Sequence, residues 1–294
     1  MTPDGLRARA TVLRHLRTWF ADRGYLEVLT PVRVPSPALE ENLYAVAASG
    51  RFLRTSPEFA LKKVLAAGLP RIYEIGPCMR DREAGPWHSA EFTMVEWYRA
   101  GARLEDLIGD TCDLIDTTAG ALGAVEVGPW RVATVRELVL EHTGIDLARA
   151  TSEDLSEHHE SWDDAFFRRW VEQVEPKLTG ALVVRDWPAS QAALAQVRTN
   201  QGWPVAERFE VFLNGIELAN AFQELTDPNE LRRRFAASAL TRTAAGEEPH
   251  PIDEALITAV GQMPLTAGIA MGLDRLVAAL LNWDGIAAGQ VPAG

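Results

Sequence analysis

Cysteine is nearly absent: Cys78 and Cys112 are the only two in 294 residues. A disulfide framework and a CxxC metal site are thereby excluded, structural zinc is not expected, and the usage fits a reducing compartment. Basic side chains are outnumbered, 29 against 41 acidic, giving a formal net charge of −12. Gripping polyanions without discrimination needs clustered positive charge, so general nucleic-acid binding is disfavoured. No run of about 18 apolar residues occurs, and Arg7, Arg9, Arg14, His15 and Arg17 interrupt the opening segment. No signal peptide or membrane span is expected, and the chain reads as cytoplasmic. A GxxxxGK[ST] phosphate loop, a GxGxxG turn after a strand and a GxSxG elbow are also missing, which removes P-loop, dinucleotide-binding and serine-hydrolase readings.

What is present is an ordinary globular chain, 47% hydrophobic, with enough apolar residues for a sizeable core. Leu6, Ala10, Leu13, Leu16 and Phe20 recur at three- and four-residue steps, so the chain opens with a helix that Gly24 stops. Tyr25 to Leu29 reads as a short strand and Pro31 to Glu41 as a loop. Two alternating runs, Arg71 to Arg80 and Glu91 to Arg99, predict a long antiparallel hairpin joined by a mobile loop, Asp81 to Ala90. From Leu104 to about Leu178 the pattern is helical with acidic patches, as in an insertion. Strand signals return at Ala181 to Arg185 and Arg208 to Leu225, and Leu273 to Leu281 reads as a buried helix entered from Gly272. The plan is α+β, an antiparallel sheet flanked by helices.

Three constellations can carry chemistry. Asn214-Gly215 is a two-residue hairpin signal, which pairs Leu213 with Ile216, Phe212 with Glu217, Val211 with Leu218 and Glu210 with Ala219. Glu210 and Glu217 then share a face as diagonal neighbours, roughly 7 to 8 Å apart. Two such carboxylates suit a hard cation carrying phosphate oxygens, or simply form a solvated polar face. In the second constellation Phe92, Met94, Glu96 and Tyr98 line one face of a strand, which suits base stacking and amine recognition or plain core. Arg80 ends the partner strand, where it can aim at a phosphate or carboxylate. In the third, Arg275 sits in the first turn of a helix, against the dipole; a bound anion relieves that conflict, and so does a surface arrangement with Asp274. Gly268 and Gly272 indicate only close packing. The cluster His158, His159 and Glu160 is set aside as a metal site, because adjacent helical residues do not face one another.

Taken together, Thr30-Pro31 after the first helix, Arg71 to Arg80 with His88 to Arg99, Arg208 to Asn220, and Gly268 to Arg275 resemble the catalytic core of class II aminoacyl-tRNA synthetases of the lysyl type. All three class II motifs occur in order, from about residue 5 to 283. The chain begins at the motif 1 helix, so the anticodon-binding domain of lysyl-tRNA synthetases is not expected and residues 1–294 are read as one catalytic domain. That shortened plan resembles the lysyl-synthetase-like ligases that modify elongation factor P, as do Ser56, Trp97 and Ala270, the last standing where such synthetases generally have Gly.

The resemblance implies an AMP-forming ligase that uses ATP and Mg²⁺ to activate lysine or (R)-β-lysine and transfers it to a lysine side chain of elongation factor P. tRNA is then an unexpected partner, and a homodimer through motif 1 is expected. It implies catalytic roles for Arg80 and Arg275. It implies ATP contacts from Arg80, Asp81, Arg82, Glu83, Ser89, Phe92, Glu217, Leu218, Gly272 and Arg275, with Mg²⁺ on Glu210 and Glu217. Substrate contacts fall to Ser56, Pro57, Glu58, Glu96, Tyr98, Asn220, Glu224 and Ala270, with Glu58 taking the backbone-like amine and Glu224 and Tyr98 the side-chain ammonium. Strand parity puts Glu224 opposite Glu217, so a bulge or twist near Asn220 is required if both reach one site. The chain also departs from the family pattern. Arg82 stands where a Glu is usual, leaving Glu83 to substitute; Ser89 replaces Asn and Ala221 replaces Gly; Pro77 inside the motif 2 strand predicts a local bulge. Those departures leave open the same chemistry with another acceptor, such as a tRNA, a carrier protein or a small amine, and a non-catalytic paralogue.

Overall fold

A computed structural model describes residues 1–38, 43–124, 126–155 and 160–291. His158 and His159 lie outside these residues, as does the end of the proline-containing loop at 39–41. Helix α1 spans Pro3–Asp22; the Thr2 side chain caps it by accepting from Gly5 N at 3.0 Å, and Gly24 follows it at φ +72°. Of the expected stripe Leu16 and Phe20 are buried, Leu6 and Leu13 are half-buried and Ala10 is exposed; Val12 and Trp19 complete the buried face.

Beyond α1 come β1 Leu26–Glu27, β2 Arg33–Val34, β3 Phe52–Leu53, α2 Glu58–Ala66, β4 Arg71–Gly85 and β5 His88–Ala100. Then follow α3 Leu104–Leu122, β6 Arg131–Thr134, α4 Val135–Thr143, α5 Ser152–Leu155 and α6 Trp162–Arg169, which runs into a π-helical turn, Trp170–Val174. The chain closes with β7 Ala181–Pro188, β8 Val197–Asn200, β9 Trp203–Leu213, β10 Ile216–Gln223, α7 Pro228–Ala244, α8 Glu254–Val260, β11 Thr266–Gly272 and α9 Leu273–Leu280. One nine-stranded sheet runs β1-β4-β5-β11-β10-β9-β7-β6, with β8 on β9. Only β1 with β4 and β6 with β7 are parallel, so the sheet is mainly antiparallel, as expected. No helix among the described residues is long and apolar enough to cross a membrane.

One face of the sheet carries Tyr73, Val95, Trp97, Val211, Ala221 and Ile269, which form the main core with α1, α3 and α9. The stretch from 104 to 178 is therefore less uniform than its helical pattern: α3 belongs to this main core, and β6 adds a strand to the sheet edge. The helices α4, α5 and α6 and the π-turn build a separate cluster, packing Phe166 and Trp170 against Trp187.

Three local expectations are corrected. Asp81 to Ala90 is mostly strand: β4 and β5 pair as far as Gly85 and His88, leaving Pro86-Trp87 as the turn, with an irregularity between Met79 and Ala84 where Arg82 sits at φ +64°. The long hairpin itself is as expected; charge and the Gly/Pro content concealed only its outer end. Pro77 makes no bulge, because its register with Thr93 is continuous. Side chains supply bonds beside the missing donor instead: Arg54 Nε donates to Pro77 O at 2.9 Å, and Thr93 N donates to Asp274 Oδ2 at 2.9 Å. The Asn214-Gly215 hairpin starts in the predicted register, Leu213 with Ile216 and Phe212 with Glu217, but then slips. Val211 pairs with Ala219 and Glu210 with Asn220, leaving Leu218 as an extra residue.

The Thr30-Pro31 turn is tied to the sheet by a buried ion pair. Arg54 and Glu74, each 1% exposed, meet at 2.6 Å, while Thr30 Oγ1 donates to Glu74 and accepts from Arg54. Removing one partner of such a pair costs about 3–5 kcal/mol, so this contact fixes the sheet edge beside the cavity.

Candidate active site

On the face of the sheet opposite the main core lies a cavity of about 460 Å³, the size of a small-molecule site. Strand parity delivers its lining. Phe92, Met94, Glu96 and Tyr98 of β5 all face it, as their alternation predicts, while Val95 and Trp97 enter the core. From β11 come Gly268, Ala270 and Gly272. The bulge at Leu218 resets β10, so that Glu217 before it and Asn220, Phe222 and Glu224 after it share the cavity side. This is the bulge expected near Asn220 if Glu217 and Glu224 were to reach one site.

At one end three glutamates converge. Glu96, 1% exposed, accepts from Ser56 Oγ at 2.6 Å and from Tyr98 Oη at 2.7 Å. Burial, with the nearby Glu58 charge, pushes its carboxyl up to about 8 and outweighs those two hydroxyls. Glu58 and Glu224 were expected to meet the amine and side-chain ammonium of a substrate; here both hold Lys62. Its ammonium, 2% exposed, lies 2.6 Å from Glu58 Oε1 and 2.6 Å from Glu224 Oε2. Burial works against the charge on Lys62, but the two carboxylates outweigh it and keep the ammonium protonated. Sequence reading missed Lys62, although its spacing four residues after Glu58 in a helix was a usable signal.

The other end is arranged for anions. Arg80 lines it with its guanidinium 5.1 Å above the Phe92 ring. Arg275 donates to Trp87 O at 3.0 Å and to Glu217 O at 3.1 Å, and it pairs with the Glu217 carboxylate at 3.4 Å and with His88 Nε2 at 2.6 Å. Burial and the Arg275 charge lower the His88 pKa, which keeps that ring neutral at pH 7. Glu83 and Ser89 line the cavity. Arg82 is not in the lining; it stacks 3.8 Å over Tyr44 and pairs with Glu247 at 3.1 Å. Asp81 is also outside the lining, its backbone paired with Tyr44, and Pro57 forms the N-cap of α2 beside the cavity.

Glu210 does not line the cavity. It is 6% exposed and held at 2.5 Å by Arg208, whose Nε donates to Asn220 Oδ1 at 3.0 Å and whose guanidinium lies 4.6 Å over Trp187. Burial pushes Glu210 up to about 8, with Glu217 and Glu175 adding repulsion against the Arg208 charge. Glu210 and Glu217 are carboxylate oxygen donors of the kind a hard divalent cation such as Mg²⁺ takes, and Arg208 and Arg275 now hold them. Arg208 and Glu175 gave no sequence signal of their own, and neither did Phe167, which reaches the rim from α6 while 54% exposed.

A family model described as tRNA synthetases class II (D, K and N) matches residues 2–288. The chain belongs to this class II synthetase family. It is also similar to proteins named elongation factor P–(R)-β-lysine ligase. The relative from Photorhabdus laumondii is 37% identical over 292 residues, covering 92% of this chain and 89% of its own length. The relative from Vibrio parahaemolyticus is 37% identical over 303 residues, covering 96% and 93%. The α+β plan expected from the helix and strand patterns is thus that of a class II synthetase-like domain.

Gly268 shows how tightly this site is built. A Cβ there would overlap Tyr98 Cε1 and Glu224 Oε1, whereas one at Gly109 in α3 meets nothing within 4 Å. Gly268→Ala is expected to lower stability by about 1–3 kcal/mol through overpacking. Gly109→Ala should raise it by up to about 1 kcal/mol through helix propensity. Urea denaturation of the two variants checks this; equal effects would mean that the pocket wall yields freely.

Proposed function

We propose that this class II chain activates (R)-β-lysine, or lysine, with ATP and transfers it to a lysine side chain of elongation factor P. The observation that carries this reading is the cavity's division: three glutamates and Tyr98 at one end, Arg80 and Arg275 at the other. Such a cavity offers carboxylates to two ammonium groups and guanidinium groups to a carboxylate and phosphates. The acceptor is the one for which the similar ligases are named.

In this reading the substrate carboxylate lies beside Arg80 and attacks the α-phosphorus of ATP in line. An oxygen–phosphorus bond forms to the carboxylate and the bond to pyrophosphate breaks, giving an aminoacyl-adenylate. Arg80 and Arg275 stabilise charge on the phosphoryl oxygens, and Phe92 offers a face to adenine. Glu210 and Glu217 would hold Mg²⁺, which supplies further charge neutralisation when bound. The neutral amine of the acceptor lysine then attacks the acyl carbon, an amide forms, AMP leaves and the amine's proton passes to solvent. We further infer that the chain acts as a homodimer through its motif 1 face, where Leu26 and Leu29 are 49% and 83% exposed beside α1.

ATP–pyrophosphate exchange tests the first half without assuming an acceptor. Exchange should be strongest with (R)-β-lysine and fall at least about a hundredfold in Arg80→Ala, the scale on which lost transition-state charge stabilisation is felt. Mass spectrometry of elongation factor P should then show one added lysyl group only with enzyme, ATP and amino acid. Exchange without that mass shift would assign another acceptor, and no exchange would contradict the proposal. Light scattering should give a dimer for the wild-type chain and a monomer for Leu29→Glu; a wild-type monomer would contradict the interface.

A further inference from the structure

Each buried acid of the described residues, Glu96 excepted, touches a basic side chain. Glu74 meets Arg54, Asp186 meets Arg198, Glu210 meets Arg208, Asp274 meets Arg9, and Glu58 and Glu224 share Lys62, all within 3.2 Å. Glu96 has only the hydroxyls of Ser56 and Tyr98. The exception lies in the cavity, at the end where Glu58 and Glu224 also sit.

Charge arithmetic follows from these contacts. Glu58, Glu96 and Glu224 bring three negative charges when ionised, and Lys62 returns one positive charge, leaving two. The other groups around this end are already committed or uncharged. Glu74, cross-strand from Glu96, is held by Arg54; Tyr98 donates to Glu96; burial pushes the Cys78 thiol up to about 12, so it stays neutral; and Arg80 lies towards the anion end. Two unneutralised charges match a substrate with two ammonium groups. In the absence of substrate, one of those charges is removed by a proton on Glu96, whose surroundings favour the neutral carboxyl below about pH 8.

We propose that Lys62 is a positioning residue that sets the charge of the amino-acid pocket: by neutralising one unit across Glu58 and Glu224, it leaves room for a two-ammonium substrate, which displaces a single proton from Glu96. This deepens the proposed function and rests on it. Lys62 does not line the cavity, so it acts through the two glutamates it holds and touches no substrate atom. Without it, two adjoining carboxylates would share a proton in the free protein, because like charges in one buried site do not both ionise. All three carboxylates must still ionise to accept from the two ammonium groups, so binding would displace a second proton and leave one negative charge uncompensated.

Titration calorimetry in two buffers of different ionisation enthalpy counts those protons. With α,β-methylene-ATP present at pH 7, wild type should release about one proton on binding lysine or (R)-β-lysine and about none with 6-hydroxynorleucine, which lacks the terminal ammonium. Lys62→Met should release about two protons with lysine and bind about tenfold more weakly at pH 7. Its affinity should recover as pH rises towards 9, because the sites that must ionise then carry fewer protons. Lys62→Arg should restore the wild-type proton count. Lysine binding to wild type with no proton released would overturn the inference. So would a folded Lys62→Met with the wild-type count and pH profile and only a lower melting temperature. Should Lys62→Met not fold, the contrast between lysine and 6-hydroxynorleucine in wild type still decides. Failure of every lysine isomer to bind would instead overturn the proposed function.

Discussion

One extra residue in β10 governs the site. Side chains along a strand alternate between faces, so a regular pairing after Glu217 would turn Asn220, Phe222 and Glu224 into the apolar core of α1, α3 and α9. A carboxylate there would face side chains such as Val211 and Ile269 with no cation. The bulge at Leu218 exchanges the two sets: Ala219 and Ala221 fill the core, while Asn220 and Glu224 join Glu217 on the cavity side. That slip brings Glu224 of the amino-acid end and Glu217 of the phosphate end to one side of the sheet.

Charge placement then follows a simple economy of counterions. The ion pairs Arg54 with Glu74, Arg208 with Glu210 and Arg9 with Asp274 surround the cavity and satisfy its walls from behind. Pairs so buried contribute little net stability against apolar replacements, so their value lies in fixing geometry. Arg208 illustrates this: one guanidinium holds Glu210, Asn220 and the Gln191 carbonyl and stacks on Trp187, joining the sheet to the cluster packed beneath α4 and α6. Against that background, Glu96 is conspicuous for having hydroxyl partners and no cation.

Much of this was legible from the residues. The face of β5 followed from alternation because Phe92, Met94, Glu96 and Tyr98 interleave with Val95 and Trp97, and from Met94 to Arg99 the strand pairs without slips on both sides. The two-residue turn at Asn214-Gly215 fixed the first pairs of its hairpin and nothing further, since Leu218 resembles any strand residue and bulges carry no local signature of their own. The hairpin from β4 to β5 was cut short because charged and turn-forming residues between 81 and 90 mask a strand whose partners are distant in sequence. Lys62 was overlooked for a different reason: a lysine four residues after a glutamate usually marks a solvated helix face, and only the fold shows that this helix turns that face inward. Arg208 and Glu175 acquire their roles from neighbours far along the chain, which no local spacing reveals.

A crystal structure of the chain with a non-hydrolysable lysyl-sulfamoyl adenosine tests the central claim most directly. Leu218 should remain bulged, with the terminal ammonium of the ligand among Glu96, Glu224 and Tyr98 and its sulfamoyl group between Arg80 and Arg275. A ligand bound with regular pairing through β10 and Glu224 turned into the core, or with its ammonium away from the glutamates, would contradict it.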